Sequence, residues 1–158
     1  MLKSTRTIES VFGSGWFAEM KEVGSALSML LFGALVAVAQ DTTGPSIWSG
    51  VFTAAQAKRG DEAYQANCSS CHGSDLHATD AEAVDLTGPA FRAKWSGRTL
   101  EERFETIRDR MPPGGPNSLG DKAYMDILAF VLQFNDFPPG NQELGPETAK
   151  RIVFAPKP

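Results

Sequence analysis

The clearest pattern along the chain falls over Asp121–Phe134, where Ala123, Tyr124, Ile127, Leu128, Val131 and Leu132 recur at three-four spacing and predict an amphipathic helix. Phe130 and Phe134 widen that stripe, and Pro138-Pro139-Gly140 ends it. A second helix is predicted from Thr99-Leu100-Glu101-Glu102 to about Asp109, with Leu100, Phe104 and Ile107 facing inward. Its opening reads as a capping box, in which the threonine hydroxyl and the glutamate carboxylate satisfy each other's backbone N–H groups. Thr53-Ala54-Ala55-Gln56 carries the same signal and predicts a helix through about Ala66, with Gly60 and Tyr64 on one face. Between these elements, Gly73–Lys94 scatters Gly, Asp, Thr and Pro without a period and reads as loop. Arg110–Asn117 (RMPPGGPN) cannot be helical, because each proline lacks an N–H and fixes φ. The tail, Asn141–Pro158, contains Ile152-Val153-Phe154 but shows no convincing period. No alternating strand pattern and no internal repeat is present, so an all-α protein with long loops is expected.

The first forty residues read as an address label. Val23–Ala39 carries no charge, and Ala26–Ala39 (ALSMLLFGALVAVA) is a run of 14 apolar residues. That length suits a signal-peptide core and falls short of the ~20 residues a spanning helix needs. Ala37-Val38-Ala39 is a small-x-small site followed by polar Gln40-Asp41-Thr42, so cleavage near Ala39 is expected. The weak positive region, with Lys3, Arg6 and Lys21 cancelled by Glu9, Glu19 and Glu22, would be repaired by a start at Met20. Residues 1–19 would then be a mis-called start. An uncleaved membrane anchor is the competing reading. The chain is thus divided into a signal peptide (1–39), an extended lead-in (40–52), a domain (53–140) and a C-terminal tail (141–158).

Composition changes the picture mainly by exclusion. With 15 Lys+Arg against 19 Asp+Glu the formal net charge is −4, which argues against a nucleic-acid partner. Removing residues 1–39 takes three charges of each sign and leaves that balance unchanged. Two cysteines allow at most one bridge, too few for a disulfide-built scaffold.

Those cysteines carry the chemistry. Cys68-Ser69-Ser70-Cys71-His72 is C-x-x-C-H, the pattern of covalent c-type haem attachment. Two thiols at this spacing after a helix can form thioethers along one edge of the macrocycle, and the adjacent His72 is then the proximal iron ligand. A thioredoxin-like pair would follow a strand, whereas a helix precedes this one. A zinc site would need more ligands than a second histidine, His77, can supply. For the sixth iron position the candidates are Met111, Met125, His77 and Lys94. Met125 sits in a helix and reads as core, since a thioether fills gaps well. His77 is too near His72 in the chain to cross easily to the opposite ring face. Met111 stands at a helix end before Pro112-Pro113-Gly114-Gly115-Pro116, where a stiff loop leaves it little freedom to lose. It is the expected distal ligand.

CSSCH, Leu86-Thr87-Gly88-Pro89-Ala90-Phe91, Met111-Pro112-Pro113-Gly114-Gly115 and Ala123-Tyr124-Met125-Asp126-Ile127-Leu128-Ala129-Phe130 together resemble a class I monohaem cytochrome c over Thr53–Pro138. The resemblance is to the small periplasmic members associated with quinoprotein alcohol dehydrogenases. It implies an all-α fold of about three to five helices wrapped around one covalent haem. It also implies that Gly60 and Tyr64 pack on the last helix against Ile127 and Phe130. The Pro89 carbonyl would bind the outer nitrogen of His72, Trp95 would reach a haem propionate, and Arg98 or Arg92 would pair with one. The function implied is periplasmic one-electron transfer rather than enzymatic turnover. Its partners would be redox proteins, with a quinoprotein dehydrogenase as donor and an oxidase as acceptor. Rival readings are a membrane-anchored cytochrome subunit of a dehydrogenase complex, a haem-based gas sensor, and a peroxidase-like enzyme with an open sixth site.

Overall fold

The structure, a computed structural model, describes residues 44–158. The expected signal peptide, its cleavage site and the alternative start at Met20 lie outside the described residues. After a 3-10 turn at Ile47–Ser49 come α1 (Ala54–Asn67), α2 (Ser69–His72), α3 (Gly88–Trp95), α4 (Leu100–Arg110), α5 (Asp121–Phe134) and α6 (Pro146–Ala149). Among the described residues there is no strand, only an isolated bridge between Thr99 and Val153. The helical class expected from the sequence is observed.

Both predicted caps form, but differently. Thr99 and Glu102 make the full reciprocal box, with bonds of 3.1 Å to the Glu102 N–H and 2.8 Å from the Thr99 N–H. At α1 the Thr53 hydroxyl accepts from the Gln56 N–H at 3.0 Å, yet the Gln56 amide does not return. It is fully buried and grips the tail instead, donating to the Leu144 carbonyl (2.8 Å) and accepting from the Leu144 N–H (2.7 Å).

The main helix contact is α1 against α5. A Cβ added at Gly60 would fall on the Asp126 carbonyl oxygen and lie 3.0 Å from the Ile127 nitrogen, so only glycine permits this approach. Tyr64 stacks obliquely on Phe130, ring centroids 5.1 Å apart. Beside the crossing, Asp126 is buried and takes both Arg59 (2.9 and 3.0 Å) and Lys122 (2.9 Å). Burial raises the Asp126 carboxyl, but hydrogen bonds from the two cations prevail and hold it below the usual carboxylate range.

Three expectations are corrected. Gly88–Trp95 is helical, not loop; Pro89 stands in its first turn, where a missing N–H costs nothing, and eight residues are too few to show a period. Phe134 is exposed rather than part of the buried stripe. The tail does pack: Leu144, Ala149, Ile152 and Phe154 are buried, and Phe154 meets Phe91, Trp95 and Phe137 edge-on. Backbone bonds pair this run with Gly97–Leu100, including Phe154 N–H to the Arg98 carbonyl at 2.8 Å. Trp48 of the lead-in stacks on Phe137 and donates its indole N–H to the Ala155 carbonyl at 3.1 Å.

Candidate functional site

Cys68 ends α1, donating its N–H to the Tyr64 carbonyl, and opens the single turn α2. Cys71 and His72 both donate backbone N–H groups to the Cys68 carbonyl, at 3.2 and 3.0 Å. Three-residue spacing within one turn sets the two thiols on the same side, and both are free and half-buried. Burial, helped by the charge of Cys71, pushes the Cys68 thiol up to about 11. A nucleophilic redox pair needs the opposite shift. Among the described residues no three His, Cys, Asp or Glu side chains gather as a metal cluster.

His72 is buried, and its Nδ1 lies 2.8 Å from the Val84 carbonyl. A carbonyl can only accept, so Nδ1 carries the proton and Nε2 is left with a lone pair for a metal. The site is held from behind by Tyr64, whose hydroxyl donates to the Gly73 carbonyl at 2.7 Å. Burial pushes that phenol above its usual range and keeps it a donor. The segment carrying Val84 is closed by Leu86 N–H to the Leu76 carbonyl (2.9 Å) and by Asn135, whose side chain donates to the Leu86 carbonyl at 2.9 Å.

Met111 caps α4 in an extended conformation, its N–H on the Ile107 carbonyl at 2.9 Å. Its own carbonyl accepts from the Tyr124 hydroxyl at 2.7 Å. The proline-rich segment behind it is pinned by Asn117 N–H to the Arg108 carbonyl, 2.7 Å. Cys68, Cys71, Leu86, Ile107, Met111 and Leu119 are among the half-buried apolar residues. Two thiols on one turn beside an imidazole with one free nitrogen fit a cofactor held covalently and ligated through a metal.

Residues 55–131, just under half of the chain, match the protein family described as cytochrome c oxidase, cbb3-type, subunit III. The match supports a class I monohaem cytochrome c domain over these residues. Such a domain binds haem c covalently, transfers electrons and works with redox protein partners. No curated protein matches the chain, and neither does any solved structure.

Within this cytochrome domain the structure rearranges the outer residues. Val84, not Pro89, supplies the carbonyl for His72; Pro89 is exposed in the first turn of α3, with its carbonyl directed along the helix. Trp95 is buried between Phe91 and Phe154, centroids 4.5 and 5.7 Å away. Arg98 is exposed and faces Glu102 at 3.5 Å, and Arg92 is exposed on α3. Met125 is core, while Lys94 is exposed. His77 is exposed, 3.8 Å from Asp85. Val84 and Tyr124 escape sequence reasoning for different reasons. A backbone acceptor leaves no side-chain signature, and a tyrosine on an apolar stripe reads as packing.

Proposed function

We propose that this protein is an exported, periplasmic one-electron carrier whose haem c is held by thioethers at Cys68 and Cys71. His72 Nε2 and Met111 Sδ would hold its iron. The observation that carries the reading is the His72 imidazole, buried, with Nδ1 committed to Val84, on the same turn that presents both thiols. When bound, the haem supplies a one-electron couple. The chain fixes the imidazole tautomer through Val84 and holds the Met111 backbone through Tyr124. With both side chains on the iron no site would remain for oxygen or substrate, which suits outer-sphere transfer. A sulfur ligand raises the potential. The donor we infer is a quinoprotein dehydrogenase and the acceptor a terminal oxidase, both by family analogy.

Replacement of Met111 by alanine tests the ligand set. The variant should lose the weak red-end ferric band that sulfur ligation produces, lower its potential, and bind carbon monoxide when reduced. A spectrum unchanged from wild type would move the sixth ligand elsewhere. One observation favours a second reading, a subunit of a membrane complex: the matched family is described as an oxidase subunit. Among the described residues no helix is long and apolar enough to cross a membrane. Release of the native protein by osmotic shock supports the diffusing carrier, and retention in carbonate-washed membranes supports the subunit.

A further inference from the structure

Asn135 caps the C-terminus of α5, and its side chain is almost wholly withdrawn from solvent. Nδ2 donates to the Leu86 carbonyl and to the Val131 carbonyl, both at 2.9 Å. Oδ1 accepts from the Thr87 hydroxyl at 3.1 Å. Carbonyls can only accept, so the amide orientation is fixed and both of its hydrogens are used. A carboxylate here would set its oxygens against those two carbonyls. An aliphatic side chain would leave the Leu86 carbonyl without this donor, at the cost of a buried group left unpaired.

The far partners of that amide belong to the segment that carries the Val84 carbonyl. Leu86 is held from two directions, its N–H on the Leu76 carbonyl at 2.9 Å and its own carbonyl on Asn135. Val84 stands two residues earlier, with an exposed side chain and its carbonyl 2.8 Å from His72 Nδ1. Asp80, Ala81, Glu82 and Asp85 are exposed as well, so burial of their side chains does not hold that carbonyl in place. Asp85 Oδ1 accepts from the Ala78 N–H at 2.7 Å, a bond within the segment. Thr79 N–H returns to the Cys71 carbonyl at 2.9 Å and anchors the start of the segment; Asn135 anchors its end to α5.

We propose that Asn135 is a positioning residue for the proximal imidazole, acting through Leu86 and Val84 to keep the Val84 carbonyl on His72 Nδ1. The proposal rests on the haem reading above. A hydrogen bond from Nδ1 makes the imidazole a more basic ligand, which favours the oxidised metal. Asn135 thus lowers the reduction potential from the end of α5, with no hydrogen bond of its own to His72.

The test uses the haem-loaded protein. In Asn135→Leu the Val84 carbonyl loses its anchor, so the midpoint potential should rise above wild type. Exchange of the His72 Nδ1 proton for deuterium, followed by NMR of the reduced protein, should become about tenfold faster, as when a buried hydrogen bond is lost. Thr87→Val, which removes only the bond to Oδ1, should move both readouts the same way by less. It decides the matter if the leucine variant does not fold. Gln56→Leu is the control: it breaks an equally buried amide clamp, but on the tail, and should leave the potential and the ring-proton exchange as in wild type. An unchanged or lower potential, or exchange no faster than in wild type and the control, would overturn the proposal. Wild-type protein lacking covalent haem would instead overturn the reading beneath it, and a pyridine-haemochrome assay on the same sample separates the two failures.

Discussion

Replacing Gly60 by alanine probes the crossing on which the cytochrome domain is built. The new Cβ would collide with the Asp126 carbonyl oxygen and press on the Asp126 carbon and Ile127 nitrogen, all backbone atoms of α5. No rotamer change can relieve backbone against backbone, so α1 and α5 must move apart. That separation loosens the Tyr64–Phe130 stack and the Arg59–Asp126 pair together. Overpacking costs about 1–3 kcal/mol, and the rigidity of both partners places this case at the upper end. Alanine returns about 1 kcal/mol of helix propensity, leaving a net loss of about 2 kcal/mol. For a domain of this size that lowers Tm by about 8 °C. Gly60→Val, with a branched side chain, should lose more. The assay is thermal unfolding of the haem-loaded protein by circular dichroism, with Gly115→Ala as control. An added Cβ at Gly115 meets only the Ser118 side chain, at 3.5 and 3.8 Å, ordinary contacts. A Gly60→Ala melt equal to wild type would refute the close approach.

Tyr124→Phe removes the bond to the Met111 carbonyl, so it should cost about 0.5–1.5 kcal/mol and speed carbon monoxide binding to the reduced protein. Unchanged binding kinetics would show that this bond does not hold the sulfur. Gln56→Leu breaks both bonds to Leu144, and limited proteolysis should then cut the tail faster than in wild type while the haem spectrum stays the same. The Asp126 carboxyl has a lowered folded-state pKa, so its stabilisation is present above the unfolded value of about 3.9 and is lost as pH falls through the folded value. Asp126→Asn should therefore lower the urea midpoint at neutral pH and flatten its acid dependence; a parallel acid slope in both proteins would count against the pair. Met125→Leu should leave the spectrum alone and cost under about 1.5 kcal/mol.

Local signals in the amino-acid sequence suffice for α1, α4 and α5, because each begins at a cap or runs long enough to show its period. The Cys68–His72 motif is legible for the same reason: its chemistry is packed into one turn. What escapes depends on distant partners. Gln56 reads as half of a capping box and instead holds the tail, a contact 88 residues away that no local window can show. Ile152-Val153-Phe154 alternates buried, exposed, buried against Gly97–Leu100, but three residues are too few to register as a period of two.

The central claim is that Cys68 and Cys71 both bond one haem beneath His72. The pyridine-haemochrome spectrum of the purified protein, made in cells with a working haem-attachment apparatus, tests it most directly. The account predicts the band position of a haem with both vinyl groups saturated, in a pigment that acidified acetone does not extract. A colourless protein, or a haem that acid acetone removes intact, would contradict it.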